Sequence, residues 1–82
     1  MSDVKQKIHD YIVEFINYGD PIDDDASLLQ SGVIDSTGAM ECIMFMEETF
    51  DVIITDEDVD PAKLDTVNLM AALVEEKMKE AA

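Results

Sequence analysis

The sequence predicts an all-α fold, a four-helix bundle with a long loop between helices 1 and 2 and a short helix 3. Three observations carry that expectation. Apolar residues recur at three- and four-residue steps through nearly the whole chain. The β-branched run Val52-Ile53-Ile54 has no second run with which to form a sheet. Eighty-two residues, 48% of them hydrophobic, suffice for one modest core, so residues 1–82 read as a single domain.

Each element follows in order. Val4, Ile8, Tyr11, Ile12 and Phe15 form the apolar stripe of helix 1, with Ser2 or Asp3 placed to cap it. Gly19 and Pro21 end it. A connection from about Tyr18 to Asp35 is too rich in Asp, Ser and Gly to propagate a helix. Its Ile22, Leu28, Leu29, Val33 and Ile34 are expected to tuck back onto the core and keep it ordered. Helix 2 runs from Ser36 to about Phe50, with Ala39, Cys42, Ile43, Met46 and Phe50 on one stripe and Glu41, Glu47 and Glu48 off it. Val52-Ile53-Ile54 then reads as an extended, buried connector, and Asp56 to Val59 as one short helical turn. Asp65 or Thr66 caps a last helix through Val67, Leu69, Met70, Leu73, Val74 and Met78, whose C-terminal dipole suits Lys77 and Lys79.

Charge narrows the partners. The formal net charge is -15, and between Asp20 and Asp60 nine aspartates and four glutamates meet no Lys, Arg or His. Such a surface repels nucleic acid phosphates and anionic lipid and points to basic-surfaced proteins. No apolar run approaches the roughly 20 residues a membrane span needs, and the polar start lacks a signal-peptide core. A cytoplasmic monomer is the expectation. The single cysteine, Cys42, excludes an internal disulfide or a cysteine-cluster metal site, and its stripe position makes it a core residue of raised pKa. His9, on helix 1, is expected to have no nearby partner of metal-ligand type and reads as a surface residue. Asp56-x-Asp58-x-Asp60 imitates the first half of an EF-hand loop, but Pro61 and Val67 stand where Gly and a bidentate Glu are required. No specific metal site is expected there; loose divalent binding at that run and at Asp23-Asp24-Asp25 stays open. No general base or nucleophile pair is visible, so no catalytic residue is assigned.

Ser36 allows two compatible readings. A hydroxyl before an apolar helix is a common N-cap, worth about 1 kcal/mol. The same helix start, with free amides and the positive end of the dipole, also suits a phosphoester on that hydroxyl.

Three segments give this sequence a likeness to a known family. Ala26-Ser27-Leu28-Leu29-Gln30-Ser31-Gly32-Val33-Ile34-Asp35-Ser36 resembles the loop leading to the modified Asp-Ser of the acyl carrier proteins and their peptidyl and aminoacyl relatives. Glu47-Glu48-Thr49-Phe50-Asp51-Val52 resembles the acidic end of their second helix, and Leu64-Asp65-Thr66-Val67 the start of their last. The resemblance implies that Ser36 carries 4'-phosphopantetheine, donated from coenzyme A by a phosphopantetheinyl transferase that supplies the metal and the activation. The arm would hold an acyl or aminoacyl thioester, and the carrier itself would do no chemistry. A docking surface of Asp35, Thr37, Met40, Glu41, Met44, Glu47 and Glu48 is implied as well, facing the transferase, an acyl- or aminoacyl-loading ligase and synthases of fatty-acid, polyketide or related biosynthesis.

Two departures bear on the cargo. Thr37-Gly38 follows the serine where fatty-acid carriers tend to have Leu, and the connector before Leu64 is longer than theirs. Both resemble specialised stand-alone carriers, including some that load amino acids. An unmodified acidic adaptor and a calcium-responsive module are the remaining alternatives.

Overall fold

The computed structural model describes residues 3–81, and the Ser2 cap lies outside them. Helix α1 (Asp3–Tyr11) runs into a π turn (Ile12–Ile16), α2 spans Ser36–Phe50, a 3-10 turn covers Asp56–Asp58, α3 is Pro61–Leu64 and α4 is Val67–Ala81. No strand occurs among the described residues. α1 packs most extensively against α4, and α2 closes over both. Their shared core holds Ile8, Ile12, Leu28, Met46, Val67 and Val74.

The π turn corrects helix 1. Asn17 donates its backbone N–H to the Ile12 carbonyl at 2.8 Å, five residues back, so one extra residue enters the turn. The core-facing position passes from residue 15 to residue 16. Ile16 packs against the core, whereas Phe15, expected on the buried stripe, is 67% exposed. The helix ends where Tyr18 and Gly19 take left-handed backbone, with φ of 55° and 88°.

The long connection is ordered by ties to distant elements. Leu28 donates its N–H to the Asp65 carbonyl at 2.7 Å, and Asp65 Oδ1 accepts from Ser27 Oγ at 2.8 Å and the Leu29 amide at 3.1 Å. Leu28 and Ile34 are buried as expected, but Leu29 is turned outward because only its backbone is held. Asn68 bonds through its backbone to the Asp24 carbonyl and through its side chain to Asp25. His9, expected to have no nearby partner, has its Nδ1 2.6 Å from Asp24 Oδ1. Folding brings the loop against α1 and supplies a carboxylate fifteen positions away in sequence.

α2 occupies the predicted span, and Cys42, Ile43 and Met46 are buried with Ala39 and Phe50 packed against them. Asp51, in left-handed backbone, ends it. The extended connector is only alternately buried: Val52 and Ile54 face inward, while Ile53 is largely exposed. Helix 3 is split. The 3-10 turn uses Asp56–Asp58, and α3 starts anew at Pro61, where Asp60 Oδ1 accepts from the Ala62 amide at 2.9 Å. Asp-Pro is the signal for that start, an N-cap followed by a residue whose missing N–H is not needed. Thr66 caps α4, its Oγ1 accepting from the Leu69 amide at 3.0 Å, because Asp65 is committed to the loop. Leu69 and Met78, expected on the α4 stripe, lie at the surface.

Lys77 does not serve the helix dipole as expected. Its Nζ lies 2.7 Å from Asp58 Oδ2, and Lys63 Nζ lies 3.2 Å from Asp58 Oδ1. Asp58 is 4% exposed and its Oδ2 also accepts from the Thr55 amide and hydroxyl. These bonds hold its carboxyl well below the usual carboxylate range, Lys77 contributing most. The apparent half EF-hand is thereby dismantled, with Asp58 paired to lysines and Asp60 capping α3.

Candidate functional site

The start of α2 is built by its approach. Gly32 takes left-handed backbone (φ 81°), and the Ile34 amide bonds to the Leu28 carbonyl at 3.1 Å, seating Ile34 in the core. Asp35 is extended, and its Oδ1 accepts from the Gly38 amide at 2.8 Å. Asp35, not Ser36, is therefore the N-cap. Ser36 becomes the first helical residue, exposed, with no hydrogen bond from its hydroxyl among the described residues. The Ser36 and Thr37 amides point out of the helix end, as first-turn amides must. A primary hydroxyl beside them fits a covalent phosphoester, since adding one disturbs neither the core nor the cap.

Gly38 is buried against Ile34, and a Cβ there would sit 3.4 Å from Asp35 Oδ1 and 3.5 Å from Ile34 Cγ2. Those contacts are ordinary, so Gly38→Ala is expected to stabilise the fold by about 0.5–1 kcal/mol through helix propensity, read from the urea midpoint.

The predicted docking residues largely share one solvent-facing surface. Asp35, Thr37, Glu41 and Glu48 are exposed, and Met40 and Met44 are 51% and 56% exposed, which removes them from the core. Glu47 departs from the set: it is half-buried, and its Oε2 accepts from the Ile54 amide at 3.1 Å. Sequence reasoning missed an apolar groove of about 360 Å³ beside Ser36, lined by Leu29, Ile34, Ala39, Met40, Val59 and Leu64. No periodic signal marks it, because its walls come from three separate segments.

Cys42 is buried, and burial, reinforced by Glu41, pushes its thiol up to about 12. Native protein is expected to resist iodoacetamide at neutral pH under conditions that alkylate the urea-unfolded chain fully, as intact mass would report. Among the described residues no group of three or more His, Cys, Asp or Glu side chains is arranged to hold a metal ion. No helix among them is long and apolar enough to cross a membrane.

The family model described as phosphopantetheine attachment site matches residues 6–74, from α1 well into α4. The chain belongs to this family. It is 38% identical over 77 residues to an acyl carrier protein of Bdellovibrio bacteriovorus, covering 93% of this chain and 96% of the relative. It is also 34% identical over 79 residues to a D-alanyl carrier protein of Lactococcus lactis subsp. cremoris, covering 94% of this chain and 99% of the relative. This member of the phosphopantetheine-attachment family is a carrier rather than an enzyme, and its cofactor is a covalently attached 4'-phosphopantetheine. Carriers of this kind work through partner enzymes such as ligases and synthases.

Proposed function

We propose that this chain, as one monomeric carrier domain, holds acyl intermediates as thioesters on a phosphopantetheine arm joined to Ser36. One observation supports that choice of residue: Ser36 is an uncommitted, exposed primary hydroxyl on the first turn of α2, whereas that of Thr37 beside it is secondary. When bound, the group supplies a thiol at the end of a long arm. The chain's own part is to hold the Ser36 oxygen outside the core, fixed relative to the acidic face of α2. Asp35 sets the helix start, and Ile34 anchors the preceding loop. A basic transferase, loading ligase or synthase would meet Asp35, Thr37, Met40, Glu41, Met44 and Glu48, with Glu47 contributing its half-exposed edge. Such docking is steered by charge and weakens with salt, which suits rapid exchange between enzymes.

The apolar groove beside Ser36 and the acyl carrier relative favour an acyl cargo for fatty-acid, polyketide or related synthesis. A second reading, a stand-alone aminoacyl or peptidyl carrier, is favoured on its aminoacyl side by the likeness to a D-alanyl carrier protein and by Thr37-Gly38 after the serine. Incubation with coenzyme A and a broad-specificity transferase, followed by intact mass, tests the carrier reading. A wild-type chain that gains no mass would end it. Mass spectrometry of the native thioester separates the two cargoes.

A further inference from the structure

The sulfur atoms of the described chain fall into two groups. Met46 and Met70 are sealed in the core, and Cys42 is buried with its thiol held protonated at neutral pH. Met40 and Met44, by contrast, stand about half in solvent on α2. Four residues apart on one helix, they present neighbouring thioethers to the same side. Met40 and Ser36 also line one apolar groove. Met78 is exposed too, but it lies on α4 and outside the docking set.

This arrangement reverses the usual redox order. A thiol reacts as its thiolate, and Cys42 is neither ionised nor accessible. A thioether needs no ionisation, so exposure alone admits an oxidant to its lone pair. What oxidation changes there is the contact chemistry. Met40 and Met44 are the only apolar members of the docking set, whose other residues are Asp35, Thr37, Glu41, Glu47 and Glu48. A methionine is an adaptable apolar contact, whereas its sulfoxide is polar. Pressed against a partner's apolar surface, the sulfoxide oxygen gives up water without gaining a donor.

We propose that Met40 and Met44 form a peroxide-sensitive modification site, whose conversion to methionine sulfoxide weakens docking of the enzymes that act at Ser36. The inference rests on the carrier reading above. In the step, the sulfur lone pair attacks one peroxide oxygen, an S–O bond forms and the O–O bond breaks toward the other oxygen. That oxygen leaves as hydroxide and takes the proton of the transferred oxygen, giving water. Sulfur loses two electrons and peroxide gains them. A methionine sulfoxide reductase restores the thioether.

The full-length chain is treated with hydrogen peroxide, the oxidant is destroyed with catalase, and loading from coenzyme A by a transferase is timed by intact mass. Peptide mapping is expected to place oxygen on Met40, Met44 and Met78 well before Met46 and Met70. Loading kcat/KM should fall about tenfold, through KM, as two half-exposed apolar contacts are lost. Reductase treatment should restore it. The double substitution Met40→Leu and Met44→Leu keeps an apolar face without sulfur, and its own loading rate should ignore peroxide. Met78→Leu should stay fully sensitive. Sensitivity that survives the double substitution, or a wild-type rate unchanged with both sulfoxides formed, would overturn the proposal. So would a rate loss that tracks a lowered urea midpoint, since that is lost fold and not lost docking. An untreated wild type that cannot be loaded sinks the carrier assignment, whereas a loadable wild type indifferent to peroxide sinks only the switch.

Discussion

Ser36→Ala is expected to lose cofactor loading completely while unfolding within about 0.5 kcal/mol of the wild type, as most exposed substitutions do. The loss is absolute because the phosphoester requires that oxygen. The small stability change follows from the capping arrangement, in which Asp35 Oδ1, not the serine hydroxyl, accepts from the Gly38 amide at 2.8 Å. Asp35→Ala should cost about 1 kcal/mol as a lost N-cap while leaving the attachment oxygen in place, so that loading is slowed through the docking surface but still reaches the full mass gain. Intact mass after treatment with coenzyme A and a transferase, with urea unfolding of each variant, reads both quantities. Full mass gain by Ser36→Ala would move the attachment point elsewhere.

Asp58→Ala is expected to cost the most stability of any single carboxylate replacement, about 2–3 kcal/mol by urea unfolding. Asp58 is the one buried charged residue of the described chain, and its removal strands Lys77 and the Thr55 amide. The residues after it, Val59 and Leu64, line the groove beside Ser36, so the loosened segment is the groove's own wall. The pH dependence has a defined sign. Pairing with Lys77 holds the Asp58 carboxyl below its ordinary range, so its contribution is present above an unfolded pKa of about 3.9 and fades as acid protonates it. The same pairing raises Lys77, whose share is present below an unfolded pKa of about 10.4 and is lost as alkali deprotonates it. The gap between wild type and Asp58→Ala should therefore be flat from about pH 5 to pH 10 and narrow on both sides. A gap unchanged at pH 3 would show that the ion pairs are not its source.

Much of this was legible beforehand because short-range rules govern it. The α2 span from Ser36 to Phe50 follows from a stripe of period 3.6 and turn-forming residues on both sides. The buried, inert Cys42 follows from its place on that stripe. The three segments around Asp35-Ser36, Phe50 and Leu64 resembled one family, and residues 6–74 match its model. Phe15 escaped because a π turn breaks the period that placed it, and no local residue signals the extra member of the turn. His9 with Asp24, and Asp58 with Lys77, escaped because charge pairing across fifteen or more residues has no periodic trace.

By itself the amino-acid order determined the span of α2, the negative stretch between Asp20 and Asp60 and the family, since each is written in neighbouring residues or in composition. Only the tertiary structure decided which oxygen caps α2, which carboxylate is buried, and that Phe15, Met40 and Met44 stand in solvent. Those outcomes depend on which side chains meet after the chain closes, and a hydrogen bond or ion pair forms where its partners are brought together in space.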